Sequence, residues 1–470
     1  MQQQIRSTNA YFKRVRNNGR TSIPAAKAYC DCRYVQFPHA NLVELTRAGG
    51  GIIGCTTAYF LTRHPLFNPS LHKITIIEAQ SIASGASGKA GGLLALWAYP
   101  ACIVPLSFKL HAELAKEHNG AERWGYRTLH VGSIRAKGKV YGSDVKGEEK
   151  GGGEEWQKLP KTKNRGKTLA SIPKDLDWFD QDCIKGYSEM GTPETTAQVH
   201  PYLFTTSIFQ LAAEAGVQIT YGSVTAIDSF DNGVKGLTYE EKETRHIKTL
   251  PASDVVLAAG PWTSHVFPEA PIDAIRAHSV VIKADVSPWA VFTEIDLPRD
   301  FGRKVEAGEK KRRHALNVNP EMYARPDGTV YACGTCCPPI SCSSSTFIDL
   351  ETVVGEGDTD VPLPRTSNMV VCDDDRCQDI IDYISSISTP FRTGDVLIKQ
   401  ACYLPHLASG GGPLIGETGI KGLWMASGHT CWGIQNSCAT GKLMSEFIFE
   451  GEAKSARIET LDPRRFLQGA

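Results

Sequence analysis

The chain has 470 residues, 41% of them apolar, with 51 basic and 51 acidic side chains, so it can bury the cores of two ordinary domains and carries no net field. Balanced charge offers no pull toward nucleic acid or an anionic membrane. The longest uncharged apolar stretch, Leu93 to Phe108, is broken by Pro100 and Pro105 and falls short of the ~20 residues of a membrane-spanning helix. The expected partner is a small molecule.

In chain order, the first thirty residues hold Arg6, Lys13, Arg14, Arg16, Arg20 and Lys27 and no acid. This composition reads either as a plain basic tail (residues 1–40) or as a mitochondrial transit peptide, and it leaves a cytoplasmic expectation beside a mitochondrial one. Fourteen cysteines are scattered without a secreted-type disulfide framework. Cys30/Cys32, Cys333/Cys336/Cys337 and Cys372/Cys377 do not make matched C-x-x-C knuckles, so no metal is expected.

The run Leu42 to Ala48 feeds the glycines but carries Glu44 and Arg47, which makes it a poor buried strand. Gly49, Gly51 and Gly54 then follow the G-x-G-x-x-G pattern. The first glycine allows a tight turn, the second lets backbone amides approach a pyrophosphate, and the third lets helix and strand pack closely. A helix is expected over Ile52 to Thr62 and a strand over Lys73 to Glu78, where a carboxylate suits the hydroxyls of a ribose without a 2′-phosphate. The small-residue loop Ser84 to Gly92 comes next, with Ser87 and Lys89 as candidate donors to phosphate.

Lys137 to Lys174 is rich in Lys, Glu and Gly and reads as a solvated insertion. A helix from Tyr202 to Ala215 and a strand pair, Gln218 to Tyr221 and Ser223 to Ile227, come next. Asp254 to Leu257 is a buried-strand run that ends in small residues up to Trp262, the kind of strand end that brings backbone against a ligand. Cys336 to Ser345 and Val353 to Pro364 read as surface loops. Near the C-terminus, Pro413 to Gly416, Gly422 to His429, Gly433-Ile434 and a helix from Ala439 to Phe449 give strand, glycine turn and helix a second time. Two such units far apart in sequence imply an α/β, doubly wound domain assembled from separated pieces around an inserted one.

Together, Gly-Gly-Gly-Ile-Ile-Gly, Glu78, Gly-Ala-Ser-Gly-Lys-Ala-Gly-Gly, Val-Leu-Ala-Ala-Gly-Pro-Trp and Gly-His-Thr-Cys-Trp-Gly-Ile resemble the FAD-dependent oxidoreductases of the D-amino-acid oxidase and glycine oxidase superfamily. The resemblance runs from about Gly49 to Gly451. Gln400 to Pro405 and Gly433 to Asn436 are most similar to a fungal branch of oxidoreductases. It implies a discontinuous Rossmann-like FAD-binding domain (41–105, 195–270 and 395–455) and an inserted α+β substrate domain on an antiparallel sheet (106–194 and 271–394). FAD would meet Gly49, Gly51, Ile52, Ile53, Gly54 and Glu78 at its ADP half. Ser87, Gly88, Lys89, Gly91, Gly92, Val224, Ala259, Gly260 and Trp262 would line its middle, and Gly428, Gly433 and Ile434 would face the isoalloxazine.

The implied reaction is oxidation of an amine carbon by hydride transfer to flavin N5 and then to dioxygen, giving an imine and hydrogen peroxide. One departure bears on the substrate. Amino-acid-oxidising members usually carry Gly-Leu-Arg-Pro where this chain has Cys402-Tyr403-Leu404-Pro405, so Leu404 replaces the fork that reads a carboxylate. Arg325 or another arginine from elsewhere in the chain is the candidate to fill in. Tyr403, Trp432 and Trp97 would otherwise form an aromatic pocket for a less polar or cationic amine. Related sarcosine and fructosyl-amine oxidases tether FAD through a cysteine at the Cys402 position, which makes a covalent link there an expectation. His429 has two readings, stabilisation of negative charge on reduced flavin near N1 or a cap on the turn. The alternatives to an oxidase are a dehydrogenase with another electron acceptor and a non-catalytic flavoprotein of the same fold.

Overall fold

The computed structural model describes residues 43–140, 172–230, 233–299, 301, 314–334 and 361–467. Two large sheets organise them. The first runs Ile247–Pro251, Gly233–Glu241, Gln218–Phe230, His72–Glu78, Val43–Ala48, Asp254–Leu257, Leu423–Ser427 and Leu414–Glu417. Its middle is parallel from Gln218–Phe230 to Leu423–Ser427, and an antiparallel hairpin closes each side. Val43–Ala48 pairs in register with strands on both flanks, Val43 opposite His72 and Leu45 opposite Asp254, so its two charged residues do not keep the backbone out of the sheet centre.

The second sheet runs Asp395–Leu407, Ile272–Lys283, Thr329–Cys333, Glu321–Ala324, Trp289–Asp296, His130–Lys137 and Ile184–Gly191. It is antiparallel apart from the pairing of Trp289–Asp296 with His130–Lys137. One face packs on Trp178, Phe179 and the inward residues Cys377, Ile380, Ile381 and Ile384 of the helix Asp374–Ser385. Asp373 starts that helix by accepting bonds from the amides of Asp375 and Arg376.

Several elements differ from the sequence expectation for tertiary reasons. Gln218 to Tyr221 and Ser223 to Ile227 are one strand, Gln218–Phe230, rather than a pair. Its first part pairs with His72–Glu78 and its remainder with Gly233–Glu241, bulging between Val224 and Ala226. Gly222 is there for space, since a Cβ would lie 2.5 Å from the Tyr239 ring. The last helix begins at Gly433, well before Ala439, and runs to Glu450. Its inner face lies on the helix Ile52–Thr62, and a Cβ on Gly441 would come within 2.6 Å of the Thr56 carbonyl carbon. Asp395–Leu407 pairs with Ile272–Lys283 along nearly its whole length, which puts it in the antiparallel sheet and not in a nucleotide-binding piece starting at 395. Leu114, Ala115 and Trp124 pack with the core under Ile52–Thr62, so 106–124 also sits with the parallel sheet.

The insertion at 141–171 and the loop Cys336 to Ser345 lie outside the described residues. No helix among those described is long and apolar enough to cross a membrane.

Candidate functional site

A cavity of about 390 Å³ opens along the carboxyl ends of the parallel strands, where ligands of doubly wound sheets sit and within the usual ~300–1,000 Å³ of ligand clefts. Its wall is assembled from separate short stretches, beginning with Gly49, Gly51, Ile52 and Ile53.

The three glycines have three separate physical reasons. Gly49 has φ +119°, and a Cβ there would lie 2.3 Å from the Ala258 carbonyl oxygen. Gly54 lets the helix sit on the strand, because a Cβ would be 2.0 Å from the Gly49 oxygen; it lies behind the wall. Gly51 is in the wall with extended backbone, and a Cβ would stand 3.1 Å from Ser87 Oγ.

No side chain of its own caps the helix Ile52–Thr62. The Ile52 amide donates instead to Ser87 Oγ at 2.9 Å, which leaves the Ser87 hydroxyl proton available to a ligand in the cavity. Glu78 accepts from the Gly50 amide at 2.7 Å and the Gln80 amide at 2.8 Å. Burial raises its carboxyl above the ordinary range, and those two amide bonds hold it back. Its position in the wall suits acceptance from sugar hydroxyls.

The loop after the second strand is only partly in the wall, and it contains a helical turn, Ala86–Lys89. Lys89 is not a phosphate donor here. Its Nζ donates to the Ala401 carbonyl at 2.9 Å while Gln400 donates back to the Lys89 carbonyl, tying the loop to the antiparallel sheet. Gly88, Gly91 and Gly92 also stand outside the wall. Cβ atoms on them would meet the Ala83 oxygen at 2.2 Å, the Tyr323 ring at 2.2 Å and the Val199 oxygen at 2.0 Å.

Val224, Ala259, Gly260 and Trp262 line the middle. Gly260 has φ +56° with open space within 4 Å of where a Cβ would stand, and Trp262 is fixed by donation from Nε1 to the Pro364 carbonyl at 2.6 Å. Arg365, Thr366 and Ser367 complete this part of the wall, and no periodic pattern or motif in the sequence marks them. Arg365 is paired with Glu240 at 2.5 Å, and Ser367 Oγ bonds Ser84 Oγ at 2.8 Å.

At the far end stand Leu404, Pro405, His429, Thr430, Cys431, Gly433 and Ile434. Thr430 has φ +51°, a left-handed conformation costing a non-glycine residue about 1 kcal/mol. Gly428, φ +80°, lies behind the wall against Ile272. The first turn of the 18-residue helix Gly433–Glu450 enters the cavity. Around it three buried donors have no partner: Trp432 Nε1, Gln435 Nε2 and Trp97 Nε1. Unpaired buried donors cost about 1–3 kcal/mol each, and all three of these stand behind the cavity wall rather than in it.

The expected aromatic pocket of Tyr403, Trp432 and Trp97 is not assembled. Trp432 and Trp97 do meet edge to face at 5.5 Å, but neither is in the cavity wall. Tyr403 is buried with its hydroxyl donating to the Val361 and Pro362 carbonyls at 3.2 Å, because alternation along the strand sends it to the face opposite Leu404. Cys402 shares the Leu404 face and is buried outside the wall. Arg325 donates to the Ala90 carbonyl at 3.1 Å over the Tyr331 ring and stays out of the wall, so it does not restore the fork missing at Leu404.

His429 is almost wholly enclosed, 3% exposed, and burial pushes its imidazole down to about 3. Burial thus favours the neutral ring at physiological pH.

Comparison with known proteins bears on this geometry. Residues 48–447 match the family model described as "DAO: FAD dependent oxidoreductase". The chain is 35% identical to "Putative oxidoreductase TDA3" of Saccharomyces cerevisiae, covering 89% of this chain and 94% of that one. It is 32% identical to "Putative oxidoreductase C1F5.03c" of Schizosaccharomyces pombe, covering 91% and 100%. Among solved structures, glycine oxidase of Bacillus cereus superposes with a TM-score of 0.59 at 18% identity, covering 89% of this chain and 98% of that one, a likeness of fold.

Proposed function

The chain belongs to the DAO family of FAD-dependent oxidoreductases, and from that premise we propose that it oxidises the C–N bond of an amine, with dioxygen as electron acceptor and hydrogen peroxide as product. FAD is the family's cofactor, and the residues present fit it. A glycine turn that a Cβ would fill, a helix N-terminus with Ser87 beside it, a carboxylate at Glu78 and a second helix N-terminus entering the cavity at Gly433 and Ile434 suit a dinucleotide flavin.

Bound there, FAD supplies a two-electron acceptor for the hydride of a C–H bond next to nitrogen. The chain's own residues have simpler work. Gly433 and Ile434 present the positive end of a long helix where negative charge would collect, and Leu404 and Pro405 close the site with apolar surface that keeps water from the reacting carbon. No charged acid–base pair stands at that end among the described residues, which suits a neutral amine that gives up hydride without prior deprotonation of carbon.

The observation carrying the substrate reading is Leu404 in the wall with Arg325 outside it. Among the described residues the wall offers no guanidinium at that end, so the proposed substrate is an amine whose recognition does not rest on a carboxylate. Peroxide release should be followed with a panel of secondary and primary amines alongside the corresponding amino acids. Turnover of amines in preference to amino acids supports the reading; turnover of amino acids alone, or flavin reduced by amines without peroxide, overturns its substrate or its acceptor half respectively. The Cys402 link is tested by acid precipitation, with yellow pellet for a covalent flavin and yellow supernatant against it.

A further inference from the structure

His429 is fixed in one tautomer. The residue lines the cavity, and Nε2 lies 3.0 Å from Thr440 Oγ1, inside the protein and two turns along the helix Gly433–Glu450. Thr440 Oγ1 is also 2.9 Å from the Asn436 carbonyl oxygen. A carbonyl cannot donate, and a threonine hydroxyl has one proton. Both contacts are satisfied when Thr440 donates to Asn436 and His429 Nε2–H donates to Thr440. Nδ1 is then the unprotonated nitrogen, the ring atom left to accept a hydrogen bond.

The surroundings give this arrangement no route to a cation. The remaining titratable groups of the wall are Glu78, His265, Arg365 and Cys431, and Arg365 is committed to Glu240. Burial alone accounts for the depressed basicity of His429, with no facing charge contributing. The ring also differs from its neighbours in the first turn. Trp432 Nε1 and Gln435 Nε2 are donors buried behind the wall, whereas His429 is in the wall and, with Nε2–H given to Thr440, has an acceptor at Nδ1.

We propose that His429 is a cofactor-positioning residue, a neutral hydrogen-bond acceptor whose Nδ1 receives an O–H or N–H of the flavin half of FAD, with Thr440 fixing the tautomer. This end of the site then recognises both polarities of one ligand, acceptors through the helix turn and a donor through His429. The role concerns cofactor binding and stands apart from the identity of the substrate.

The test is FAD titration of the apoprotein, read by quenching of flavin fluorescence between pH 6 and 8.5, with ¹⁵N NMR of the histidine ring. Wild-type affinity should be independent of pH through the ordinary histidine range, and Nε2 should be the protonated nitrogen. His429→Asn keeps an acceptor near the Nδ1 position and should bind FAD within about threefold of wild type. His429→Leu removes the acceptor and should weaken FAD about fivefold, the worth of one net hydrogen bond. Thr440→Val should weaken binding similarly and give a mixed tautomer signal, while Thr440→Ser restores both. The proposal is overturned by affinity that rises on acidification in wild type but not in His429→Asn, by protonated Nδ1, or by a folded His429→Leu protein with unchanged affinity.

Discussion

Two helices bring their N-termini to one cavity, and their surroundings are opposite in character. At Ile52–Thr62 the approach is glycine, with Ser87 Oγ on the Ile52 amide and the Glu78 carboxylate on the Gly50 amide. At Gly433–Glu450 the N-cap is Trp432, and the neighbours are indoles, Leu404 and a neutral imidazole. The same backbone dipole thus serves two purposes. The first end is polar enough to hold a permanent phosphate charge with hydrogen bonds on all sides. The second has a low local dielectric and stays uncompensated until charge arrives, which is where a dipole acts most strongly on charge that appears only during reaction.

The largest effect that would break this contrast is at the first end. Gly54→Val places a Cβ 2.0 Å from the Gly49 oxygen and should abolish FAD retention during purification, with a fall in Tm of well over ~10 °C. Next is Ser87→Ala, which returns the Ile52 amide to an uncapped state and removes a donor from the cavity. FAD should dissociate about tenfold more readily with little change in apoprotein stability.

Acid sharpens the comparison by acting on the second end. Burial pulls His429 down to about 3 and His111, which bonds the Ile434 carbonyl, to about 4. Both bind protons more readily in the unfolded chain, so stability should be complete above about pH 6.5 and be lost as pH falls from there toward 4, by up to about 1.4 kcal/mol per pH unit for each histidine. Urea unfolding at pH 7, 6 and 5 measures it, and His111→Gln should flatten the slope. The smallest effect is Trp432→Phe. It deletes an unpartnered donor behind the wall, so apoprotein Tm should stay within ~2 °C and the FAD-dependent gain in Tm should change little.

What could be read from sequence follows the same division. Gly49, Gly51, Gly54, the helix Ile52–Thr62 and the strand ending at Glu78 are legible because turn, dipole and packing requirements there fall within one short βαβ segment. The second end is assembled from distant pieces. Sequence pattern starts the last helix only at Ala439 because Gly433 to Cys438 lacks propensity, yet packing on Ile52–Thr62 and burial of Ile434, Gln435 and Asn436 hold it helical. Lys89 and Tyr403 carry suggestive chemistry but commit it to the carbonyls of Ala401, Val361 and Pro362, choices made by strand alternation and tertiary contact. Arg365 and Ser367 reach the wall through tertiary placement, and no local pattern marks them.

The most direct measurement of the central claim is the visible spectrum of FAD-loaded protein during anaerobic addition of a secondary amine. Bleaching of the oxidised flavin bands to a limit set by one amine per flavin is expected, with their return when air is admitted. Flavin that dithionite reduces but no amine in a broad panel bleaches would contradict amine oxidation and leave a flavoprotein with another task.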